Sequence, residues 1–162
     1  MADRVREALF DILGPAVRGM RVLDLFAGTG AVGIEALSRG AAYAVFVERD
    51  RGALRVLRAN LSALGLPRGR ARVVAGEAVT ALAGLARREP PFDLVFLDPP
   101  YAGDLAAQAL AALAGGALVA PGTRAVVQHF AKTPPPPAAG ALRAVETRRF
   151  GETALTFFRA EG

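Results

Sequence analysis

Two short segments of the sequence combine residue types that bind or transform small molecules, and the first is rich in glycine. Residues 28 to 33 read Gly-Thr-Gly-Ala-Val-Gly, and Glu48 follows Gly28 by 20 positions (48 − 28). A G-x-G-x-x-G segment with an acid about 20 residues later is typical of dinucleotide binding, where the loop approaches a pyrophosphate. Asp24, four positions before Gly28 (28 − 24), argues against a pyrophosphate because like charges repel in a partly desolvated crevice.

A ligand with a cationic head suits Asp24 better. S-adenosylmethionine has an α-ammonium and a sulfonium and no phosphate, so the sequence favours it over a nicotinamide dinucleotide, the alternative from a different class of enzyme. The glycines would let the backbone approach the methionine end, whose carboxylate faces a helix N-terminus. Glu48 would accept hydrogen bonds from both ribose hydroxyls, and Glu77 would receive the adenine amino group or only stabilise the first turn of its helix. The predicted cofactor-binding set is Asp24, Phe26, Gly28, Gly30, Glu48, Arg49, Glu77 and Ala78, whereas Asp50 is predicted to cap a helix.

The second segment is Asp98-Pro99-Pro100-Tyr101, which follows an apolar run. It is predicted to lie at the carboxyl edge of a parallel sheet, where ligands of open α/β folds bind. The exocyclic amine of a base or amide is a poor nucleophile because its lone pair is delocalised. If the Asp98 carboxylate and the Pro99 carbonyl accept the two N–H groups, the lone pair is freed, and Asp98 can take the proton that the product sheds.

The other two residues of this tetrapeptide support the same chemistry. Pro100 and Pro99 stiffen the turn and contribute no competing N–H, and Tyr101 offers a face on which a base can stack. We therefore predict catalytic roles for Asp98, Pro99, Pro100 and Tyr101 in the methylation of an amine. The alternative for the tetrapeptide alone is a Pro-Pro turn with a capping Asp and a surface Tyr.

The composition excludes several other kinds of site. The 162 residues are 52% hydrophobic and 22% charged, as expected for one globular domain. There is no cysteine, which excludes disulfides, thiolate metal sites and cysteine nucleophiles, and His129 is the only histidine, so we expect no metal. The net charge of +5, with 19 arginines (20 − 1) and the single lysine Lys132, permits a phosphate-bearing partner. No signal peptide or membrane span is visible, and we expect a cytoplasmic protein without membrane contact.

Strand and helix patterns alternate along the chain. Strands are predicted over 21–26, 44–47, 72–75, 92–97, 124–128, 144–150 and 153–158, and helices over 3–13, 31–39, 50–64, 78–87 and 105–113. Strands that are apolar on both faces indicate an α/β fold with a parallel sheet covered by helices on both sides. The last two strands flank Gly151-Glu152 as an antiparallel hairpin. We predict a single domain, 1–162, with an N-terminal helical segment (1–14) and a Pro-rich loop (130–140).

Several stretches resemble the RsmD-type 16S ribosomal RNA guanine-N2 methyltransferases. They are Asp-Arg-Val-Arg-Glu-Ala-Leu-Phe (3–10), Val-Leu-Asp-Leu-Phe-Ala-Gly-Thr-Gly (22–30) and Glu-Ala-Leu-Ser-Arg-Gly-Ala (35–41). The resemblance continues through 46–48, 92–101 and 150–156, and so covers nearly the whole chain. The glycine loop and residues 98–101 are shared by many amine methyltransferases, whereas 3–10 and the closing hairpin are more specific to this family.

The resemblance implies a Rossmann-like class I methyltransferase fold with a mostly parallel seven-stranded sheet whose last strand is antiparallel. It implies methylation of the N2 amine of a guanine in 16S rRNA of the small ribosomal subunit. Adenine-N6 and glutamine-amide methylation remain alternatives because their amine geometry is similar. The family has Asp more often than Glu at 77, and it usually has a short β-rich segment before the first helix, at or after whose end this chain starts. The matching positions are Asp24, Gly28, Gly30 and Glu48 for the cofactor, and Asp98, Pro99 and Tyr101 for catalysis.

Basic side chains are the candidate contacts to RNA. The predicted set is Arg4, Arg6, Arg148 and Arg149. The alternative for Arg6 is ion pairing on the helix surface, and for Arg148 and Arg149 a solvated face of the closing hairpin. We expect a monomer, and we expect His129 to be a structural residue at a strand end.

Overall fold

Helices and strands alternate along the chain in the order that the hydrophobic pattern predicts. The computed structural model describes residues 1–100 and 104–162. The strands are β1 (Arg21–Leu25), β2 (Tyr43–Glu48), β3 (Ala71–Ala75), β4 (Leu94–Leu97), β5 (Arg124–Phe130), β6 (Ala138–Ala139), β7 (Leu142–Phe150) and β8 (Thr153–Ala160). The α-helices are α1 (Asp3–Leu13), α2 (Ala31–Ser38), α3 (Arg51–Ala63), α4 (Ala78–Ala86) and α5 (Leu105–Ala114), and a short 3₁₀ turn, Gly14–Val17, follows α1.

The strands form one sheet in the order β3-β2-β1-β4-β5-β8-β7-β6. The pairs from β3 to β5 are parallel, and β8 lies antiparallel between β5 and β7. The expected mostly parallel sheet with an antiparallel last strand is confirmed, and β6 adds an eighth strand of two residues at the edge. Pro134–Pro137 precede β6 and have no N–H to donate to β7, although the Pro137 carbonyl accepts from the Ala144 N–H at 2.8 Å.

The segment around the proline run differs in extent from the predicted loop 130–140. β5 continues to Phe130 because it pairs along its whole length with β8, as far as the Phe130–Thr153 pair. With β6 at Ala138–Ala139, the segment between strands covers 131–137.

Helices cover both faces of the sheet, as predicted from strands that are apolar on both sides. One face packs against α1, α2 and α3, and its core includes Phe10, Leu37, Leu57, Phe46 and Phe96. The opposite face packs against α4 and α5, and its core includes Leu82, Leu110, Leu25, Val95 and Phe158. These two apolar layers hold the strand ends in fixed register, and the strand ends carry the site.

The strand order reverses at β1, which pairs with β2 on one side and with β4 on the other. In open α/β sheets a crevice forms outside the carboxyl ends of the strands at such a switch point. The glycine loop follows β1, and the Asp-Pro-Pro segment follows β4. Both chemically suggestive segments therefore meet at the switch point.

Candidate active site

The register of the sheet lines up four residues along its carboxyl edge. The last β1–β4 pair is Leu25–Leu97, and Leu25 also pairs with Val47 of β2, so Phe26 follows between Glu48 and Asp98. Leu97 pairs with Val127 of β5, which places Gln128 beside Asp98. The order across the edge is therefore Glu48, Phe26, Asp98, Gln128. Neighbouring strands are about 4.8 Å apart, so adjacent members of this row are close enough to act on one ligand.

These four residues line a cleft of about 450 Å³. Its remaining lining residues are Met1, Gly28, Pro99 and Pro100. The cleft thus brings together three predicted cofactor residues (Phe26, Gly28, Glu48) and three predicted catalytic residues (Asp98, Pro99, Pro100). Tyr101, the fourth predicted catalytic residue, lies outside the described residues.

Phe26 has a backbone conformation that marks this cleft as unusual. Its φ is +70°, and it is the only non-glycine residue with positive φ in the described ranges 1–100 and 104–162. A non-glycine side chain in this region is strained and is found preferentially at functional sites. The twist turns the chain out of β1, so that Gly28, with φ +58° and open space where a Cβ would stand, borders the cleft.

Asp24 lies behind the glycine loop and not among the residues that line the cleft. It is 2% exposed, on the face of β1 that α2 covers, and its Oδ2 accepts a hydrogen bond of 3.0 Å from the Gly33 N–H in the first turn of α2. Burial raises its pKa from 3.8 to about 7, although the Gly33 bond opposes the shift, and the charges of Asp98 and Glu48 raise it further. The Asp24 carboxylate is thus expensive to ionise until positive charge arrives nearby.

Glu48 holds the glycine loop in place. Its Oε1 accepts from Gly28 N–H at 2.8 Å, and its Oε2 accepts from the N–H groups of Arg49 (3.0 Å) and Asp50 (2.8 Å). A carboxylate oxygen can accept two hydrogen bonds, so Oε1 keeps capacity for a hydroxyl donor from a ligand in the cleft. Asn60 secures the other side of the loop by donating to the Thr29 carbonyl at 3.1 Å.

The other two glycines of the motif are required by packing. A Cβ on Gly33 would stand 2.3 Å from the Phe46 ring, so only glycine lets α2 approach β2. Gly30 caps α2 with φ +91°, and its Cβ would stand 2.4 Å from a Leu57 methyl group. Gly30, although predicted to bind cofactor, does not line the cleft; neither does Gly33.

The predicted residues farther along the edge also lie outside the cleft lining. Glu77 caps α4 by accepting from the N–H groups of Val79 (3.0 Å) and Thr80 (2.8 Å), and these bonds lower its pKa. Glu77 thus stabilises the first turn of α4, which is the alternative considered for it, and its contact to adenine stays a prediction. Ala78 is buried as the first residue of α4, and Arg49 is exposed. Asp50 caps α3 through Ala53 N–H at 2.8 Å, so the predicted cap is confirmed.

Asp98 has the properties of a proton acceptor. Burial raises its pKa from 3.8 to about 6, and the charge of the amino terminus partly offsets this shift. At neutral pH the side chain is still mostly ionised and can take a proton. The buried Pro99 and exposed Pro100 follow it directly into the cleft.

The predicted RNA-contacting arginines fall into two groups. Arg6 pairs with Asp3 (3.3 Å) and Glu35 (3.6 Å), which is the alternative considered for it, whereas Arg4 is exposed on the same helix. Arg148 pairs with Glu146, whereas the Arg149 Nε donates to the Gly151 carbonyl at 2.7 Å. None of the four lines the cleft around Asp98.

Sequence reasoning missed Gln128 as a site residue. Gln128 is buried, and it lines both the central cleft and an adjoining one of about 220 Å³ beside Pro99 and Pro100. The available signal was a polar residue directly after the apolar run Ala125-Val126-Val127, at the end of the predicted strand 124–128. His129, the next residue, is buried and bonded to the Thr156 hydroxyl (2.7 Å) and the Phe130 carbonyl (2.6 Å), as expected of a structural histidine.

The described residues contain neither a membrane-spanning helix nor a cluster of metal ligands. None of the helices within residues 1–100 and 104–162 has both the length and the apolar composition needed to cross a bilayer. The same residues contain no group of three or more His, Asp or Glu side chains placed to hold a metal ion.

Comparisons with known proteins point in one direction. Residues 1–159 match the model of a family described as conserved hypothetical protein 95. The chain is 35% identical over 160 residues to the Bacillus subtilis protein named "Putative rRNA methyltransferase YlbH", covering 99% of this chain and 86% of that protein. It is 46% identical over 99 residues to "Ribosomal RNA small subunit methyltransferase D" of Escherichia coli, covering 61% of this chain and 48% of that protein. The solved structure "Putative methyltransferase yhhF from Escherichia coli" superposes with a TM-score of 0.89 at 34% identity, covering 99% of this chain and 87% of that one.

Proposed function

The chain belongs to the conserved hypothetical protein 95 family of RsmD-type methyltransferases, and from this premise we propose that it methylates the N2 amine of a guanine in 16S ribosomal RNA, with S-adenosylmethionine as methyl donor. The observation that carries the proposal is the juxtaposition of Asp98-Pro99-Pro100 with Phe26, Gly28 and Glu48 in one cleft. The substrate is a small ribosomal subunit or its RNA. Residues 1–162 are proposed to act as one methyltransferase domain and as a monomer.

The charges around the cleft fit a cationic cofactor. Glu48 and Asp98 lie close enough to Asp24 for their charges to raise its pKa. Among the described residues, no ion pair involves any of these three acids. An ammonium or sulfonium group would be favoured there, whereas a pyrophosphate would be repelled. The nicotinamide alternative therefore loses its support, and the family is one of methyltransferases.

The cofactor site would be built from the loop after β1 and the end of β2. Gly28 and Phe26 border the methionine end, Glu48 Oε1 offers its remaining acceptor capacity to the ribose, and Asp24 stabilises positive charge from behind the loop. When bound, S-adenosylmethionine would supply a methyl group bonded to a positively charged sulfur, and this sulfur is a good leaving group because it becomes a neutral thioether.

The acceptor amine would lie against Asp98 and Pro99. The Asp98 carboxylate and the Pro99 carbonyl accept its two N–H groups, which frees the nitrogen lone pair for attack. Once the nitrogen has accepted the methyl group that the cofactor would supply, Asp98 would take up its surplus proton. A pKa of about 6 suits this transfer because the group is mostly unprotonated before the step and basic enough to accept.

The test is transfer of radiolabelled methyl from S-adenosylmethionine to three substrates, followed by nucleoside analysis. The substrates are unmodified small ribosomal subunits, protein-free 16S rRNA and adenine-rich duplex DNA. Label recovered as N2-methylguanosine supports the proposal. Label recovered as N6-methyladenine keeps the methyltransferase chemistry but refutes the guanine assignment.

A further inference from the structure

A second cleft, away from the four-residue edge row, opens at the end of β5. It has a volume of about 300 Å³, and its lining residues are Phe130, Ala131, Lys132, Thr133, Arg149 and Glu152. The fold brings these distant residues together: Phe130 pairs with Thr153, which also pairs with Phe150, and Ala131 N–H donates to the Glu152 carbonyl at 2.7 Å. The turn of the β7–β8 hairpin is thus tied to the segment that leaves β5.

This hairpin cleft shares lining residues with the clefts nearer Asp98. Phe130 and Thr133 also line the adjoining cleft of about 220 Å³, which Pro99, Pro100 and Gln128 line as well. Those three residues in turn line the central cleft with Asp98. The three clefts thus follow one another through shared lining residues from Asp98 to Phe130, as successive nucleotides of one strand would.

The chemistry of the hairpin cleft matches that of a nucleotide. Phe130 is 40% exposed, although it is a large apolar side chain, and it lies between two clefts, where a base could stack on it. Lys132 and Arg149 supply two cations against the single acid Glu152. Neither cation takes part in an ion pair among the described residues, whereas Arg148 and Arg143 on the same hairpin pair with Glu146 and Glu161.

We propose that the hairpin cleft binds a nucleotide of single-stranded RNA that neighbours the target base, with Phe130 stacking on the base and Lys132 and Arg149 neutralising its phosphates. The inference rests on the proposed function in that RNA is the substrate. It adds Phe130 and Lys132, which sequence reasoning did not single out, as substrate-positioning residues. It also separates Arg149, which lines the cleft, from Arg148, which points to the other face of β7 because side chains alternate along a strand.

The test is the affinity of the full chain for a short fluorescein-labelled single-stranded RNA, measured by anisotropy at several salt concentrations. Phe130→Ala is expected to weaken binding about tenfold, within the range for loss of one base–aromatic stack. Lys132→Ala and Arg149→Ala are each expected to reduce the slope of log affinity against log salt by about 0.7. Val145→Ala and Arg143→Ala, exposed residues of β7 outside the cleft, serve as controls with wild-type binding.

Methyl transfer to RNA by the same variants distinguishes the two proposals. Phe130→Ala is expected to raise KM for RNA about tenfold at nearly unchanged kcat. RNA binding that is the same in Phe130→Ala, Lys132→Ala and the two controls overturns the cleft assignment, whatever the enzyme methylates. Binding lost through the two cations alone, with Phe130→Ala unchanged, indicates a plain polyanion surface and overturns it as well. Variant-sensitive RNA binding in a protein that methylates no RNA refutes the proposed function and leaves the cleft assignment standing.

Discussion

The acidic residues at the two edges of the parallel sheet have opposite electrostatic surroundings. At the amino edge, Glu89 accepts from Arg21 (3.0 Å) and from the Tyr43 hydroxyl (3.2 Å), with Arg72 at 3.9 Å. The guanidinium of Arg21 also lies 4.9 Å from the Tyr43 ring centre and 5.1 Å from that of Phe92. Arg21 and Arg72 are thus both paired with Glu89, and their network joins β1, β2 and β3 at their starts.

At the carboxyl edge, by contrast, the charges of Asp98 and Glu48 raise the pKa of Asp24, and none of these three acids forms an ion pair among the described residues. Asp24 and Asp98 have raised pKa values of about 7 and 6, and burial is the largest cause in both cases. The hydrogen bond that Asp24 accepts in the described structure comes from a backbone N–H group, that of Gly33, and not from a cationic side chain. The amino edge is therefore organised for stability, while the carboxyl edge carries an electrostatic cost that a cationic ligand would relieve.

The strongest test of this contrast uses the two acids that flank β4. We expect Asp98→Ala to lower kcat about 1000-fold, since it removes both a hydrogen-bond acceptor and the proton acceptor. Cofactor affinity, measured by calorimetry, is expected to fall far less than kcat, because Asp24 and Glu48 remain near the proposed cofactor site. Asp93→Asn is the matched control: Asp93 accepts from Arg21 N–H at 2.8 Å at the opposite end of the strand, so this variant loses about 1 kcal/mol of stability and keeps its kcat. Equal kcat losses in the two variants would erase the distinction.

The second test asks whether Asp24 is costly to the fold. An acid with a pKa raised from 3.8 to about 7 binds more protons when folded than when unfolded between those pH values, so it makes stability fall as pH rises through that window. We expect Asp24→Asn, which can still accept from Gly33 N–H, to gain about 2 kcal/mol of unfolding free energy at pH 8. Its affinity for S-adenosylmethionine is expected to fall about tenfold, by loss of a nearby opposite charge.

Denaturant unfolding at pH 5 and pH 8 provides the measurement, with Asp93→Asn again as the comparison. A destabilised Asp24→Asn protein at pH 8 would show that the buried carboxylate contributes to the fold as the amino-edge acids do. The contrast between the edges would then rest on Asp98 alone.

The third test weakens the amino edge. Glu89→Gln keeps the shape of the side chain but removes the charge that faces Arg21 and Arg72, and the Glu89 side chain is only 9% exposed. We expect a loss of about 2 kcal/mol of stability, because two arginines lose their partner. Cofactor affinity and kcat at a temperature well below unfolding should be those of the wild type, and a large fall in either would link the two edges.

The fourth test is the pH dependence of turnover. Asp98 must be ionised to accept the proton, and its pKa is about 6, so kcat is expected to fall about tenfold per pH unit below 6 and to level off above it. Because Asp24 titrates near 7 and its charge is coupled to that of Asp98, the profile should be repeated in Asp24→Asn. If kcat still falls below pH 6 in this variant, the fall is assigned to protonation of Asp98. If the fall disappears, it is not caused by Asp98.

Local patterns were sufficient to predict most of the elements. The bounds of α1 are those expected from its apolar face. The strands that carry Asp24 and Glu48, and the strand that ends just before Asp98, were placed within one or two residues of their ends. Features that depend on pairing between distant strands were not predictable in this way. The Asp98–Gln128 neighbourhood requires the β4–β5 register, and the position of Phe130 requires the antiparallel pairing with β8.

The orientations of acidic side chains were also beyond the local pattern. Asp24 was expected to face the ligand, and it lies instead beneath the first turn of α2, where it bonds to Gly33. Glu48 was expected to bind ribose, which stays a prediction, and its hydrogen bond to the Gly28 N–H was not foreseen. The position of Asp24 depends on how closely α2 approaches the sheet, which glycine at position 33 permits beside the Phe46 ring and which no single segment of sequence reveals.

The row Glu48, Phe26, Asp98, Gln128 has a spacing that the sheet fixes. Hydrogen-bonded strands lie about 4.8 Å apart, and this distance varies little among proteins. Methyl-donor and acceptor sites that are built on neighbouring strand ends therefore keep their separation when the surrounding loops change in length or sequence. The loops can change during evolution to select another amine while the distance between donor and acceptor stays the same.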